Sequence, residues 1–319
     1  MKHTPFPGYD NHFKSQLRDL EETPELIAAR QAQGKALMTW EVPEGLKMED
    51  RAIDGPDEGQ KLNIRIYTPA GLPEKAPAIL DIHGGAWVGG NLDIDNARCI
   101  ALAVRTQAIV VSVEYRLCGT GEFHFPQPLM DCYTAYKWIL ANAEELGCDG
   151  QVGVHGSSSG GNLSEGLALY LRDHKEQAPA LTVVNCGCLS NQFNEFYSFQ
   201  QNYNLRMGPD EKAAGAENAY LGGYDGTTPS YYAFPAFTPD VGGLGAHMII
   251  TAEYDTLRDD GLNYAMRLLK AGVPTEILSA PRSCHCFTCV PDHPYTNLIH
   301  DMIAMSFRRE FGLLEDLRV

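Results

Sequence analysis

The sequence has no long hydrophobic run: nowhere in its 319 residues does it approach the ~18 consecutive apolar residues of a membrane span. Its opening residues, MKHTPFPGYDNHF, have none of the apolar centre of a secretory signal. Positive charge is scarce as well. The 25 Lys and Arg stand against 41 Asp and Glu, a net charge of −16, and such a surface repels phosphate backbones and anionic headgroups. No nucleic-acid partner and no membrane partner is expected. No disulfide framework is expected either, since the nine cysteines are an odd number and the opening residues do not read as an export signal. Free thiols and a cytoplasmic location follow as the expectation. There is no internal repeat and no low-complexity tract, and 44% apolar with 21% charged residues is ordinary for a folded chain.

What is present is an alternation. Short apolar runs at Ala78–Ile82, Ala108–Val113, Val152–Val154, Leu181–Val184, His247–Thr251 and Thr275–Leu278 follow a half-buried strand pattern at Lys61–Pro69. Helical patterns fall near 128–145, 161–172, 260–271 and 295–311, so the chain predicts a mostly parallel sheet with crossover helices. Residues 1–50 are polar and helix-like. Between Leu189 and Ala246 the rhythm breaks into a stretch rich in Asn, Gln, Tyr, Gly and Pro, too long for a plain loop. The expected division is therefore an N-terminal cap segment at 1–50, a core at 51–190, a cap insertion at 191–235 and the rest of the core at 236–319.

Residues 155–163 read His-Gly-Ser-Ser-Ser-Gly-Gly-Asn-Leu, directly after one apolar run and directly before a helical pattern. Gly-x-Ser-x-Gly in that context is a strand turning abruptly into a helix, with a strained serine standing clear of the sheet. Three serines compete, and only Ser158 has glycine both two residues before it (Gly156) and two after it (Gly160). The competing reading is a phosphate-cradling turn at a helix N-terminus, but no Lys follows to complete a Walker loop.

Upstream, Asp81-Ile-His-Gly-Gly-Ala-Trp87 follows the run Ala78–Ile82. A tetrahedral oxyanion needs N–H donors that are not already in a sheet ladder, and a Gly-Gly turn past a strand end supplies them. Gly84, Gly85 and Ala86 are the candidate donors, with the amide of Ser159 after the nucleophile. Should Ala86 need a positive φ, its Cβ costs on the order of 1 kcal/mol.

On this kind of elbow the partners follow in the order Ser, acid, His. Five of the ten histidines precede Ser158. His174 ends a helix and His247 opens a strand. Of the remaining three, His285 lies in a loop past Thr275–Leu278, where reactive groups gather at strand C-termini. His293 is the second choice, and His300, within a helical pattern, reads as half-buried surface. Asp255 falls just past the run His247–Thr251, with Glu253 as fallback; Asp259 and Asp260 read as first-turn residues facing a helix dipole.

Two signals compete with this reading. Cys284-His285-Cys286-Phe-Thr-Cys289 has a metal-site look, but Cys-x-Cys with an embedded His makes poor tetrahedral geometry. Thiols packed around the His285 loop, and activity sensitive to oxidants, are the better expectation. The aromatics at 193–203 with Tyr231, Tyr232, Phe234 and Phe237 suit a cap core or a substrate pocket equally.

Taken together, HGGAW (83–87), YRL (115–117), FPQPLMDCYTAYKW (125–138), GSSSGGNL (156–163), DTLRDDG (255–261) and HCF (285–287) resemble the hormone-sensitive-lipase-like branch of the α/β-hydrolases. The resemblance spans about 61–311 with the motifs in order. It implies an α/β fold with a doubly wound, mostly parallel eight-stranded sheet, helices on both faces and a helical cap. It also implies a serine esterase for small, short-chain acyl esters, deacetylation included, without metal or organic cofactor. Carried over by position, it makes Ser158, Asp255 and His285 the triad, and Gly84, Gly85, Ala86 and Ser159 the oxyanion donors. Ser157 stands where the family has an acid, Ser159 and Ala86 where it has Ala and Gly, Cys118 where it has Ala, and Cys286 where it has Gly. A homodimer is the assembly this reading allows. The rival readings are a catalytically silent ligand-binding relative, which typically loses the Ser or His kept here, and a lipase, thioesterase or peptidase on the same triad.

Overall fold

In the computed structural model, residues 4–17, 24–37, 40–205, 211–222, 230–291 and 293–314 are described. Parts of the expected cap, including 206–210 and 223–229, lie outside them. The strands are β1 (Lys47–Asp54), β2 (Lys61–Thr68), β3 (Ala76–Ile82), β4 (Ile109–Val113), β5 (Cys148–Ser157), β6 (Leu181–Asn185), β7 (Ala246–Tyr254) and β8 (Thr275–Cys284). They form one eight-stranded sheet in the order β1-β2-β4-β3-β5-β6-β7-β8. Only the β1–β2 and β2–β4 pairings are antiparallel, so from β4 to β8 the strand C-termini share one edge. The expected fold class holds.

The helices are α1 (Asp10–Gln16), α2 (Pro24–Leu37), α3 (Asn96–Thr106), α4 (Gln127–Ala141), α5 (Ala143–Leu146), α6 (Ser159–Asp173), α7 (Tyr197–Gln201), α8 (Glu211–Leu221), α9 (Arg258–Lys270) and α10 (Pro294–Glu310). Strand side chains alternate between faces, and the central strands are apolar on both. Leu80, Ile82, Val111 and Val154 pack with Leu129, Ile139, Leu163 and Leu167 of α4 and α6. Ile79, Val110 and Val183 point the other way, against Leu102 of α3 and Ile303 and Phe307 of α10. Both faces are covered, as a parallel sheet requires.

Two elements lie outside the expectations. β1 is an edge strand in which only Ile53 is buried, so it carries no apolar alternation and straddles the boundary drawn at residue 50. α3 occupies the interval after the glycine turn, with Cys99, Leu102 and Ala103 on its buried side. Towards the N-terminus, Leu17 bridges to Leu205, and Phe13 meets Tyr254 edge to face at 6.1 Å, which joins the end of α1 to the 191–235 insertion and to β7.

Candidate active site

At the end of β5 the chain reverses into α6 through Ser158, whose φ of 56° and ψ of −121° are strained for a residue with a side chain. The neighbouring glycines are required by contact. A Cβ on Gly156 would lie 2.2 Å from the Gly160 carbonyl oxygen, and one on Gly160 would lie 2.0 Å from that of Ile82. The turn is tied down by the Ser158 amide, which donates to the Asn185 carbonyl at the end of β6 (2.9 Å).

The adjoining strand ends deliver two more groups to the same edge. β7 stops at Tyr254 and β8 at Cys284, so Asp255 and His285 are the first residues past their strands. His285 Nδ1 lies 2.8 Å from Asp255 Oδ2, and His285 Nε2 lies 2.9 Å from Ser158 Oγ. A carboxylate beside Nδ1 fixes the proton there and leaves Nε2 to accept from the serine hydroxyl. Asp255 Oδ1 is oriented by the Leu257 amide (3.0 Å). The structure thus brings together the three side chains singled out from sequence, all of them buried.

The alternatives sit elsewhere. Glu253 accepts from the Arg282 amide at 2.6 Å. His293 caps α10, accepting from the Tyr295 amide, and its Nε2 lies 2.8 Å from the Pro7 carbonyl oxygen. His300 is not half-buried surface as its helical pattern suggested. It is buried, and that burial pushes its pKa down to about 3. His247 opens β7 and lies against Glu165.

The glycine turn after β3 lies beside the nucleophile: a Cβ on Gly84 would be 3.3 Å from the Ser158 Cβ. Among the described residues the amides of Gly84, Gly85 and Ala86 donate to no acceptor, and the Ser159 amide belongs to the unpaired first turn of α6. Ala86 and Trp87 both have positive φ, 54° and 59°, so the strain expected at Ala86 is present. Trp87 holds the turn in place: its Nε1 donates to Asn162 Oδ1 (3.3 Å), and its ring stacks on Tyr220 of α8 at 4.5 Å.

Beneath the elbow lies a buried ionic cluster. Arg98 donates to Asp81 (2.9 Å), to Asp95 (2.8 Å) and to the Ser157 hydroxyl (3.0 Å), and His155 Nδ1 lies 2.8 Å from Asp81. Although burial opposes ionisation of Asp81, Arg98 and His155 hold its carboxyl well below the usual range. Two carboxylates already neutralise Arg98, so a neutral serine at 157 is enough to accept its remaining N–H.

Sequence reasoning missed His12 and Gln16. Gln16 Nε2 donates to the His285 carbonyl oxygen at 2.6 Å, and His12 Nε2 lies 2.8 Å from the same atom, so α1 clamps the loop of the base. Cys186 also lies beside the triad. Its thiol is pushed well above its usual range, first by burial and then by the neighbouring Asp255 carboxylate. Potential ligand atoms of Cys186, Asp255 and His285 all lie within 4.8 Å of one another. A cation there would have to displace the proton that Asp255 and His285 share.

Residues 79–289 match the family model described as the alpha/beta hydrolase fold. The chain is 31% identical over 263 residues to an arylesterase of Saccharolobus solfataricus, covering 80% of this chain and 82% of that one. It is 32% identical over 278 residues to the carboxylesterase NlhH of Mycobacterium tuberculosis, covering 85% and 80%. Among solved structures, a bacterial heroin esterase superposes with a TM-score of 0.81 at 31% identity, over 91% of this chain and 92% of that one.

Proposed function

The chain belongs to the alpha/beta-hydrolase family, in its hormone-sensitive-lipase-like esterase branch, and from that we propose that it hydrolyses small carboxylic esters with short acyl groups, acetyl esters among them, by acyl transfer to Ser158. One observation carries the proposal: the hydrogen-bonded chain from Ser158 through His285 to Asp255, beside a turn of undonated amides. In this reading His285 Nε2 takes the proton of Ser158 Oγ as that oxygen attacks the ester carbonyl. Asp255 stabilises the resulting imidazolium. The amides of Gly84, Gly85, Ala86 and Ser159 form the oxyanion hole and receive the negative charge on the carbonyl oxygen. His285 then returns the proton to the departing alcohol, and water, deprotonated by His285, releases the acid and restores Ser158.

Of the segment 1–50, residues 47–50 belong to β1 of the sheet, and the described part ahead of them joins the described part of the 191–235 insertion as a cap over the site. The Leu17–Leu205 bridge and the stacking of Tyr220 on Trp87 support that division. No helix among the described residues is long and apolar enough to cross a membrane. Nine free cysteines fit a reducing compartment, which supports a cytoplasmic location. Leu298, Met302 and Met305 form an exposed strip along α10 beside the edge strand β8, which supports a homodimer. The test of the chemistry is a chain-length series of p-nitrophenyl esters with the wild type and Ser158→Ala. Activity should fall as the acyl chain lengthens and vanish in the variant. Turnover by Ser158→Ala at the wild-type rate defeats the assignment.

A further inference from the structure

Directly after His285 the chain makes a tight turn. Cys286 adopts a φ of 53° and starts a single 3-10 turn, Phe287–Cys289, closed by a 3.0 Å hydrogen bond from the Cys289 amide to the Cys286 carbonyl. Such a closed turn brings its first and fourth Cα atoms within ~7 Å, which overlaps the roughly 4.4–6.8 Å separation of disulfide-bonded cysteines. The Cys289 thiol is a direct neighbour of the Cys286 thiol. Both residues keep a minor part of their surface exposed, whereas the other seven cysteines are buried. The pair therefore combines contact with access.

We propose that Cys286 and Cys289 are a modification site, closing to a reversible disulfide under a peroxide or a small-molecule disulfide and thereby switching ester hydrolysis off. With hydrogen peroxide, the Cys289 thiolate attacks one oxygen, the O–O bond breaks, and a sulfenic acid and one water result. The Cys286 sulfur then attacks that sulfur, the S–S bond forms and a second water leaves. Two thiols have lost two protons and two electrons, and the peroxide has gained them. With a small-molecule disulfide, two exchanges form the same bond and release two small thiols. Either thiol can supply the sulfenic acid, and the product is the same disulfide.

The effect on hydrolysis rests on the reading of His285 as the base. Cys286 follows His285 directly, and the Cys186 sulfur lies within 4.8 Å of facing side-chain atoms of Asp255 and His285. A disulfide holds its sulfurs ~2.05 Å apart, well inside any S–H···S contact, so closure pulls Cys286 by a distance on the order of 1 Å. His285 Nε2 stands only 2.9 Å from Ser158 Oγ, and a misplacement of about 1 Å at reacting groups costs on the order of 100-fold in rate.

The experiment treats the purified full chain with hydrogen peroxide and then with dithiothreitol, following p-nitrophenyl acetate hydrolysis and mapping cross-linked peptides by mass. The expected result is a loss of activity on the order of 100-fold, in step with a Cys286–Cys289 cross-link, and full return on reduction. Cys289→Ser starts with wild-type activity and keeps it under the same peroxide dose. Three results overturn the proposal: no 286–289 cross-link, a complete cross-link with undiminished hydrolysis, or equal inactivation of Cys289→Ser. The cross-link is read without any ester, and a Ser158→Ala variant that still turns over is a separate measurement that overturns the site reading instead.

Discussion

Replacing Gly160 by Ala tests whether the elbow and the oxyanion turn are held in one fixed relation. A Cβ at this position would lie 2.0 Å from the Ile82 carbonyl oxygen and 2.6 Å from that of His83. Restoring an ordinary contact of roughly 3.5 Å requires about 1.5 Å of separation between the start of α6 and the end of β3. Gly84–Ala86 continue directly from His83, and Ser158 lies two residues before Gly160, so that movement separates nucleophile from amides. Overpacking of this kind costs about 1–3 kcal/mol of stability, and a shift of about 1 Å at the reacting groups costs on the order of 100-fold in kcat. Alanine at a helical position, by contrast, is favoured over glycine by up to ~1 kcal/mol, so propensity alone predicts the opposite sign. Gly215→Ala on α8 is the control: no atom among the described residues lies within 4 Å of its Cβ position. The assays are kcat on p-nitrophenyl acetate and the thermal midpoint. Gly160→Ala with wild-type kcat, or with the small gain expected of Gly215→Ala, refutes the contact argument.

His285→Ala should be as damaging to kcat as Ser158→Ala, since each removes one end of the 2.9 Å contact. His293→Ala should leave kcat within a few-fold and lower stability by about 1 kcal/mol, the usual cost of a lost N-cap; a kcat collapse there would exchange the roles of the two histidines. His247 gives a pH test. Its Nδ1 faces the Gly245 carbonyl oxygen (2.9 Å) and its Nε2 faces Glu165 (2.9 Å), so two acceptors call for the doubly protonated ring. Burial opposes the charge, but Glu165 and Gly245 outweigh it, and the pKa is raised above 6.5. A raised folded pKa contributes stability that is fully present below the unfolded value and lost as pH rises through the folded one. Thermal midpoints should therefore decline above pH ~6.5 in the wild type and decline less in His247→Gln; parallel profiles would exclude this pair as the source.

The parallel core was legible because its inner strands, β3, β4, β6 and β7 among them, are buried on both faces and read as short apolar runs. β1 was not, because an edge strand with only Ile53 buried has no pattern to show. α3 was hidden for a different reason. Its buried side carries Asn96 and Arg98, polar residues that the fold places inside through ion pairs and hydrogen bonds formed with distant strands. β8 was seen only in its first half, since Pro281 and Arg282, the latter at a φ of 53°, interrupt the alternation before Cys284. That shortening made His285 look like a loop residue well past a strand, when it is the first residue after one.

The site shows the same split between local and long-range information. Ser158 declares itself because its strain needs glycines at fixed offsets, and that requirement is written within five residues of chain. The clamp on His285 cannot be read this way. His12 and Gln16 lie one helical turn apart on α1, and nothing in their neighbourhood distinguishes them from other polar helix residues; their meaning comes from a carbonyl at residue 285. Ser157 falls between these cases. A serine in place of the family's acid looks like a lost charge, and a buried Arg98 left with one carboxylate fewer would be costly. Asp81 and Asp95 both reach that guanidinium, and the Ser157 hydroxyl needs only to accept one further N–H. Adding the acid back by Ser157→Asp would place a third carboxylate around one cation in a buried site, so the substitution that makes the motif look more typical should destabilise this particular chain.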